Sequence, residues 1–205
     1  WQKRRRVDAE EALRQVGPII EEDLAHGATP ALFVTPELLG SKALRSATEA
    51  GAEVGLLLMD AHRRRPLRLR HRLKRLRDAI DELGVVGFRA APWGLSAAQL
   101  EEIRTFARYS CSMPDTIPCP GDGGHRGCAV TTPFRRGGLL EVPITVAPQE
   151  MLLDGGWHGL DLMDLVRSKI LAIRERYCVA VVSIRVAPDR GTSRVQRDLL
   201  GAILG

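Results

Sequence analysis

The chain has 205 residues, of which 44% are apolar and 27% charged, with a net charge of +5 and only 4% aromatics. A chain this long buries most of its apolar surface and needs no disulfide or metal simply to fold, and one domain is the better expectation. Collagen-like, coiled-coil, low-complexity and wholly disordered classes are excluded, and no apolar run reaches the roughly 18 residues of a membrane span.

In chain order, the spacing predicts a short strand over Lys3–Val7 and a helix over Ala9–His26, with Ala12, Leu13, Val16, Ile19, Ile20 and Leu24 on its apolar face and Gly27 as its stop. Ala31–Val34 reads as a buried strand, Pro36–Ala50 as a helix stopped by Gly51, and Glu53–Met59 as a strand. Leu67–Leu83 reads as a helix stopped by Gly84, Val85–Arg89 as a strand, and Ser96–Phe106 as a helix with Ser96 as its N-cap. Ser110–Arg136, rich in Pro, Gly and Cys, breaks the rhythm and reads as one long ordered loop. Leu139–Val146 (strand), Leu160–Arg176 (helix), Cys178–Val186 (strand) and Arg194–Leu204 (helix) resume it. Strands alternating with helices imply an α/β fold with a parallel sheet, open or closed as a barrel.

Four cysteines, Cys111, Cys119, Cys128 and Cys178, are too few for a disulfide scaffold. Cys111, Cys119, His125 and Cys128 could together hold zinc, but only His125-x2-Cys128 has metal-ligand spacing and no Cys-x2-Cys is present. A Cys119–Cys128 disulfide or free thiols are the other readings of that loop, and Cys178 reads as core. From Arg63 to Arg77, nine of fifteen residues are Lys or Arg, and the rest of the chain is slightly acidic. Helical spacing puts Arg68, Arg72 and Arg75 on one face and Leu69, Leu73 and Leu76 on another, which describes a solvated amphipathic helix or an anion-binding face. No aromatic ladder accompanies it, so nucleic acid is disfavoured as a partner. The opening WQKRRRVDAEEAL has no apolar signal core, and the start at Trp1 rather than Met leaves the compartment open between cytoplasm and an exported form cut from a leader.

Several segments together resemble the polysaccharide deacetylase family (carbohydrate esterase family four). These are, in order, GATPALFVTPELL, ATEAGAEVGLL, GFRAAPWGLS, YSCSMPDT, GGLLEVPIT, and APDRG after AVVSI, spread over almost the whole chain. The resemblance implies a distorted (β/α) barrel of about seven parallel strands over residues 1–205. It also implies one divalent metal, zinc or similar, in an amide hydrolase acting on N-acetyl or N-formyl aminosugars, free, polymeric or lipid-linked. The family holds its metal with one Asp and two His, uses a second Asp as base on the metal-bound water, and protonates the leaving amine with a late His.

Carried over position by position, the resemblance makes Asp8 the base, Glu10 the replacement for the ligand Asp, and Arg89 the strand-end arginine that orients the base, followed by Pro92. The paired ligand histidines fall at Leu57 and Ala61, with His62 one residue away as the available substitute. The general-acid His falls at Ala187, and a further family His at Ala52. Trp93 and Trp157 suit sugar stacking or a hydrophobic lid, and Asp189 of APDRG is implied as a substrate contact. Asp8 also fits a helix N-cap, with Glu11 completing a capping box, and Arg89 fits an ion pair beneath a loop. The expectation is therefore a catalytically degenerate, deacetylase-like subunit with no metal or one. Its partner would be an active sister subunit, another protein, an aminosugar or an anionic glycan. The alternative is a working metal-dependent hydrolase built on Asp8, Glu10 and His62.

Overall fold

A computed structural model describes residues 13, 16–18, 20–21, 24–27, 29–58, 60–61, 65–90, 95–114, 117–118, 125–126, 130–146, 152 and 159–177. The strands are β1 (Ala31–Val34), β2 (Glu53–Leu57), β3 (Gly87–Arg89), β4 (Tyr109–Ser110), β5 (Ile117–Pro118), β6 (His125–Arg126), β7 (Phe134–Arg136) and β8 (Leu139–Glu141). The helices are α1 (Lys42–Glu49), α2 (Pro66–Arg75), α3 (Arg77–Glu82), α4 (Ala97–Ile103) and α5 (Gly159–Tyr177). The protein is α/β, with a mixed, mostly parallel six-stranded sheet in the order β1-β2-β3-β4-β8-β7.

The chain divides into two compact units, Trp1–Ser112 with Arg135–Glu141, and Met113–Phe134 with Val142–Gly205. In the first unit, Leu13, Val16 and Ile20 are helical and buried, at the spacing of one helix face. The expected helix over Pro36–Ala50 splits. Pro36–Leu38 forms a 3-10 turn and Ser41 adopts extended backbone, its Oγ accepting the Leu44 N–H at 3.1 Å, so α1 starts afresh at Lys42. The expected helix over Leu67–Leu83 also splits. The Leu76 N–H bonds to Leu73 O at 3.0 Å, tightening the turn between α2 and α3. Gly27, Gly51 and Gly84, the three expected helix stops, have φ of 75°, 108° and 60°. Ser96 caps α4 in a full capping box with Gln99.

One sheet face carries the core. Leu56, Leu58 and Phe88 pack with Leu44, Leu69 and Ile103 of the helices, all essentially inaccessible. On the other face Phe33 and Tyr109 meet edge to face, their ring centroids 6.3 Å apart. A Cβ on Gly55 would lie 2.6 Å from the Phe33 ring, and one on Gly87 2.8 Å from the Tyr109 hydroxyl, so the two glycines make the room the rings occupy. Gly137 and Gly138, both at positive φ, form the two-residue turn from β7 to β8, which requires antiparallel pairing.

Within the second unit β5 and β6 pair antiparallel. Pro114 bridges Ile144, whose N–H bonds to Met113 O at 2.9 Å. Leu162, Val166 and Ile173 of α5 cluster with Val146 and Leu152. The stretch expected as one long loop over Ser110–Arg136 thus holds three short strands, each too brief to show a periodicity. The strand expected over Leu139–Val146 ends at Glu141, Pro143 removes a ladder donor, and pairing returns beyond it only as isolated bridges, at Ile144 and at Val146. The strands expected over Lys3–Val7 and Cys178–Val186, and the helix over Arg194–Leu204, lie outside the described residues.

Candidate functional site

The carboxyl ends of parallel strands are where α/β proteins place their sites, because the chain leaves the sheet there and exposes side chains of neighbouring strands together. In the first unit those ends belong to β2, β3, β4 and β8. Leu57 pairs directly with Arg89, Phe88 with Ser110, and Ser110 with Glu141. The backbone beyond the strands is held by polar contacts. Cys111 N–H bonds to Phe88 O at 2.8 Å and Leu58 N–H to Arg89 O at 2.9 Å. The Ala90 N–H donates to Ser112 Oγ at 2.9 Å, and the Ser110 and Ser112 hydroxyls lie 2.8 Å apart. Glu141, only 1% exposed, accepts the Ser112 N–H on Oε1 at 2.7 Å. A carboxylate this deep needs charge-assisted hydrogen bonds, and this one fixes the loop after β4 against the end of β8.

Cys111 lies in the same cluster as a free, buried thiol. Burial pushes it up to about 12, with Arg89 opposing the shift and Glu141 adding to it. The thiol is therefore neutral at physiological pH and is not a thiolate nucleophile. What the cluster offers is the Arg89 guanidinium at the end of β3 and, across β4, the buried Glu141 carboxylate that holds the backbone beyond the strands. At the opposite end of the same strands, the Tyr109 hydroxyl donates to Glu53. Burial first, and then that carboxylate, hold the phenol well above its usual range.

Of the residues singled out from the sequence, Arg89 stands at the end of β3 beside this cluster. His125 lies in β6 of the second unit. Asp8, Glu10, His62, Trp93, Trp157, Asp189, Cys119, Cys128 and Cys178 lie outside the described residues. The two positions matched to ligand histidines are Leu57, opposite Arg89, and Ala61, which is fully buried. The Ala61 carbonyl accepts from Gln99 Nε2 at 2.9 Å and its N–H bonds to Leu58 O at 3.0 Å, so the turn after β2 is pinned from both sides. Neither side chain can ligate, and among the described residues no three His, Cys, Asp or Glu side chains come together as a metal would need.

Glu141, Ser110 and Ser112 were not singled out as site residues, although LEVP and YSCS both belong to the segments that carry the resemblance. The signal available was a lone acid inside an apolar strand, which is rare unless the carboxylate has partners. Among the described residues no helix is long and apolar enough to cross a membrane. No protein-family model matches the chain, and no curated protein or solved structure is detectably similar to it.

Proposed function

We propose that the chain is a polysaccharide deacetylase-like protein that has lost its catalytic set and binds a sugar or a partner protein through the former cleft. The observation that carries this reading is the Leu57–Arg89 pair. The strand-end arginine matched to the family sits across from the position matched to a ligand histidine, and that position is leucine. The second matched position, Ala61, is an alanine without exposed surface. The finer expectation of a distorted barrel of about seven strands goes with this reading. Five described strands are parallel, and Lys3–Val7 and Cys178–Val186 would supply the other two.

In this reading Arg89 holds polar groups of the ligand, with Glu141, Ser110 and Ser112 fixing the backbone beside it. The test is amine release from an N-acetylglucosamine oligomer with added zinc, cobalt, nickel or manganese, alongside calorimetric binding of the same oligomer. The expected result is binding without turnover, weakened by Arg89→Ala. Turnover at ordinary enzymatic rates of about 1–10³ s⁻¹ overturns the reading in favour of a working hydrolase built on Asp8, Glu10 and His62.

A further inference from the structure

The basic segment is the strongest charge asymmetry in the chain, and nothing in the strand-end site uses it. Helix α2 carries five Lys or Arg within PLRLRHRLKR and no acid. Its Leu69 and Leu73 are buried, so the cations stand on its outer side. Two guanidiniums, Arg70 of α2 and Arg77 of α3, are held in place by partners. Arg70 donates from Nε and from a terminal nitrogen to Glu102 at 2.8 and 2.6 Å. Arg77 bonds to Asp81 at 2.8 Å and to Thr105 O at 3.0 Å. The ion pairs among the described residues leave Arg65, Arg68, Lys74 and Arg75 without an acid.

Between these residues lies an open groove of about 370 Å³. Leu73, Ile80 and the half-buried Phe106 form its floor, and Arg70, Lys74, Arg77, Thr105 and Glu102 line its rim, Glu102 paired with Arg70, so the rim keeps a net positive charge. An apolar floor inside a cationic rim asks for a ligand with an apolar body and negative charge around it. Phosphate backbones need a cationic surface but have no use for an apolar hollow. A lipid surface is flat on this scale and reaches a recess poorly, and the only large apolar side chain exposed on α2 is Leu67. A peptide meets both requirements at once, with an anchor side chain in the hollow and carboxylates on the rim.

We propose that the α2–α3–α4 groove is a docking site for an acidic peptide segment with a hydrophobic anchor, presented by a partner protein. The anchor enters over Leu73, Ile80 and Phe106. Lys74 and the pre-positioned Arg70 and Arg77 receive its carboxylates. The site stands apart from the strand-end cluster and does not depend on the deacetylase-like reading.

The test uses the full chain and a short fluorescein-labelled peptide of Glu and Asp carrying one leucine, followed by fluorescence anisotropy. Two exposed positions give variants that leave the core intact: Lys74→Glu reverses a rim charge, and Thr105→Trp fills the groove. Each is expected to weaken the peptide by about tenfold, and replacing the leucine by serine to cost a similar factor. Binding is expected to fall with added salt, as exposed charges are screened. The proposal is overturned if the peptide does not bind, if the serine peptide binds equally well, or if either variant that keeps the parent circular dichroism spectrum binds like the parent. It is also overturned if duplex DNA or phosphatidylserine vesicles bind more tightly than the peptide and ignore Thr105→Trp.

Discussion

Across one face of the sheet the register row reads Val34, Leu56, Phe88, Ser110 and Glu141, and on the other face the neighbouring row reads Phe33, Gly55, Gly87, Tyr109 and Leu140. The first row fills its space with its own side chains and turns polar only at β4 and β8. The second is empty at its centre, and rings lean in from both sides over two glycines. The two rows are filled in opposite ways, so they should fail in opposite ways. The first breaks when atoms are removed and the second when atoms are added.

The largest expected effect is on the first row. Phe88→Ala empties an inaccessible position and should cost about 3–5 kcal/mol in denaturant unfolding. At the polar end of that row, Glu141→Ala leaves the buried Ser112 N–H without its acceptor and should cost about 1.5–3 kcal/mol, measured the same way. On the second row, Gly55→Ala forces the Phe33 ring to move and should cost about 1–3 kcal/mol, with Phe33→Leu recovering part of the loss. If Gly55→Ala melts with the parent, the two rows do not differ as described.

A smaller effect separates the strand ends from both rows. Cys111 has its pKa raised from 9.0 to about 12, so its contribution to stability is complete below pH 9 and is lost as pH rises toward 12. Between pH 9 and 10, below the ordinary tyrosine value of 10.0, unfolding free energy should fall by about 1 kcal/mol from this group. Cys111→Ala should remove that part of the decline, and an unchanged alkaline slope would place the thiol in contact with solvent.

Much of the fold was legible because local chemistry and tertiary context agree. β1 has the bounds its apolar run suggested, three glycines end helices where expected, and Ser96 caps α4 through its own side chain. The break at Leu76 was not legible. Leu69, Leu73, Leu76 and Ile80 continue one apolar stripe across it, and no Gly or Pro marks the place. The division of Pro36–Ala50 turned on Ser41, whose cap competes with a helix that the apolar pattern alone would continue. For the candidate site, Arg89 was legible through the resemblance carried by GFRAAPWGLS. Glu141 and its serines were not legible, because a buried acid held by a backbone N–H leaves no spacing pattern to find.

The paired glycines bear on how the chain chooses this arrangement over its rivals. The partners in each parallel pair are roughly 20–30 residues apart in the chain, so nothing local dictates how far one strand slides along the next. A slip of one residue would turn β2 over and carry its apolar side away from the helices. A slip of two would bring Glu53 or Leu57 beside Phe33 in place of Gly55, and the ring would meet a side chain where it now has a vacancy. Gly55 and Gly87 thus act as a key for alignment, penalising every near-miss while asking little of the correct match.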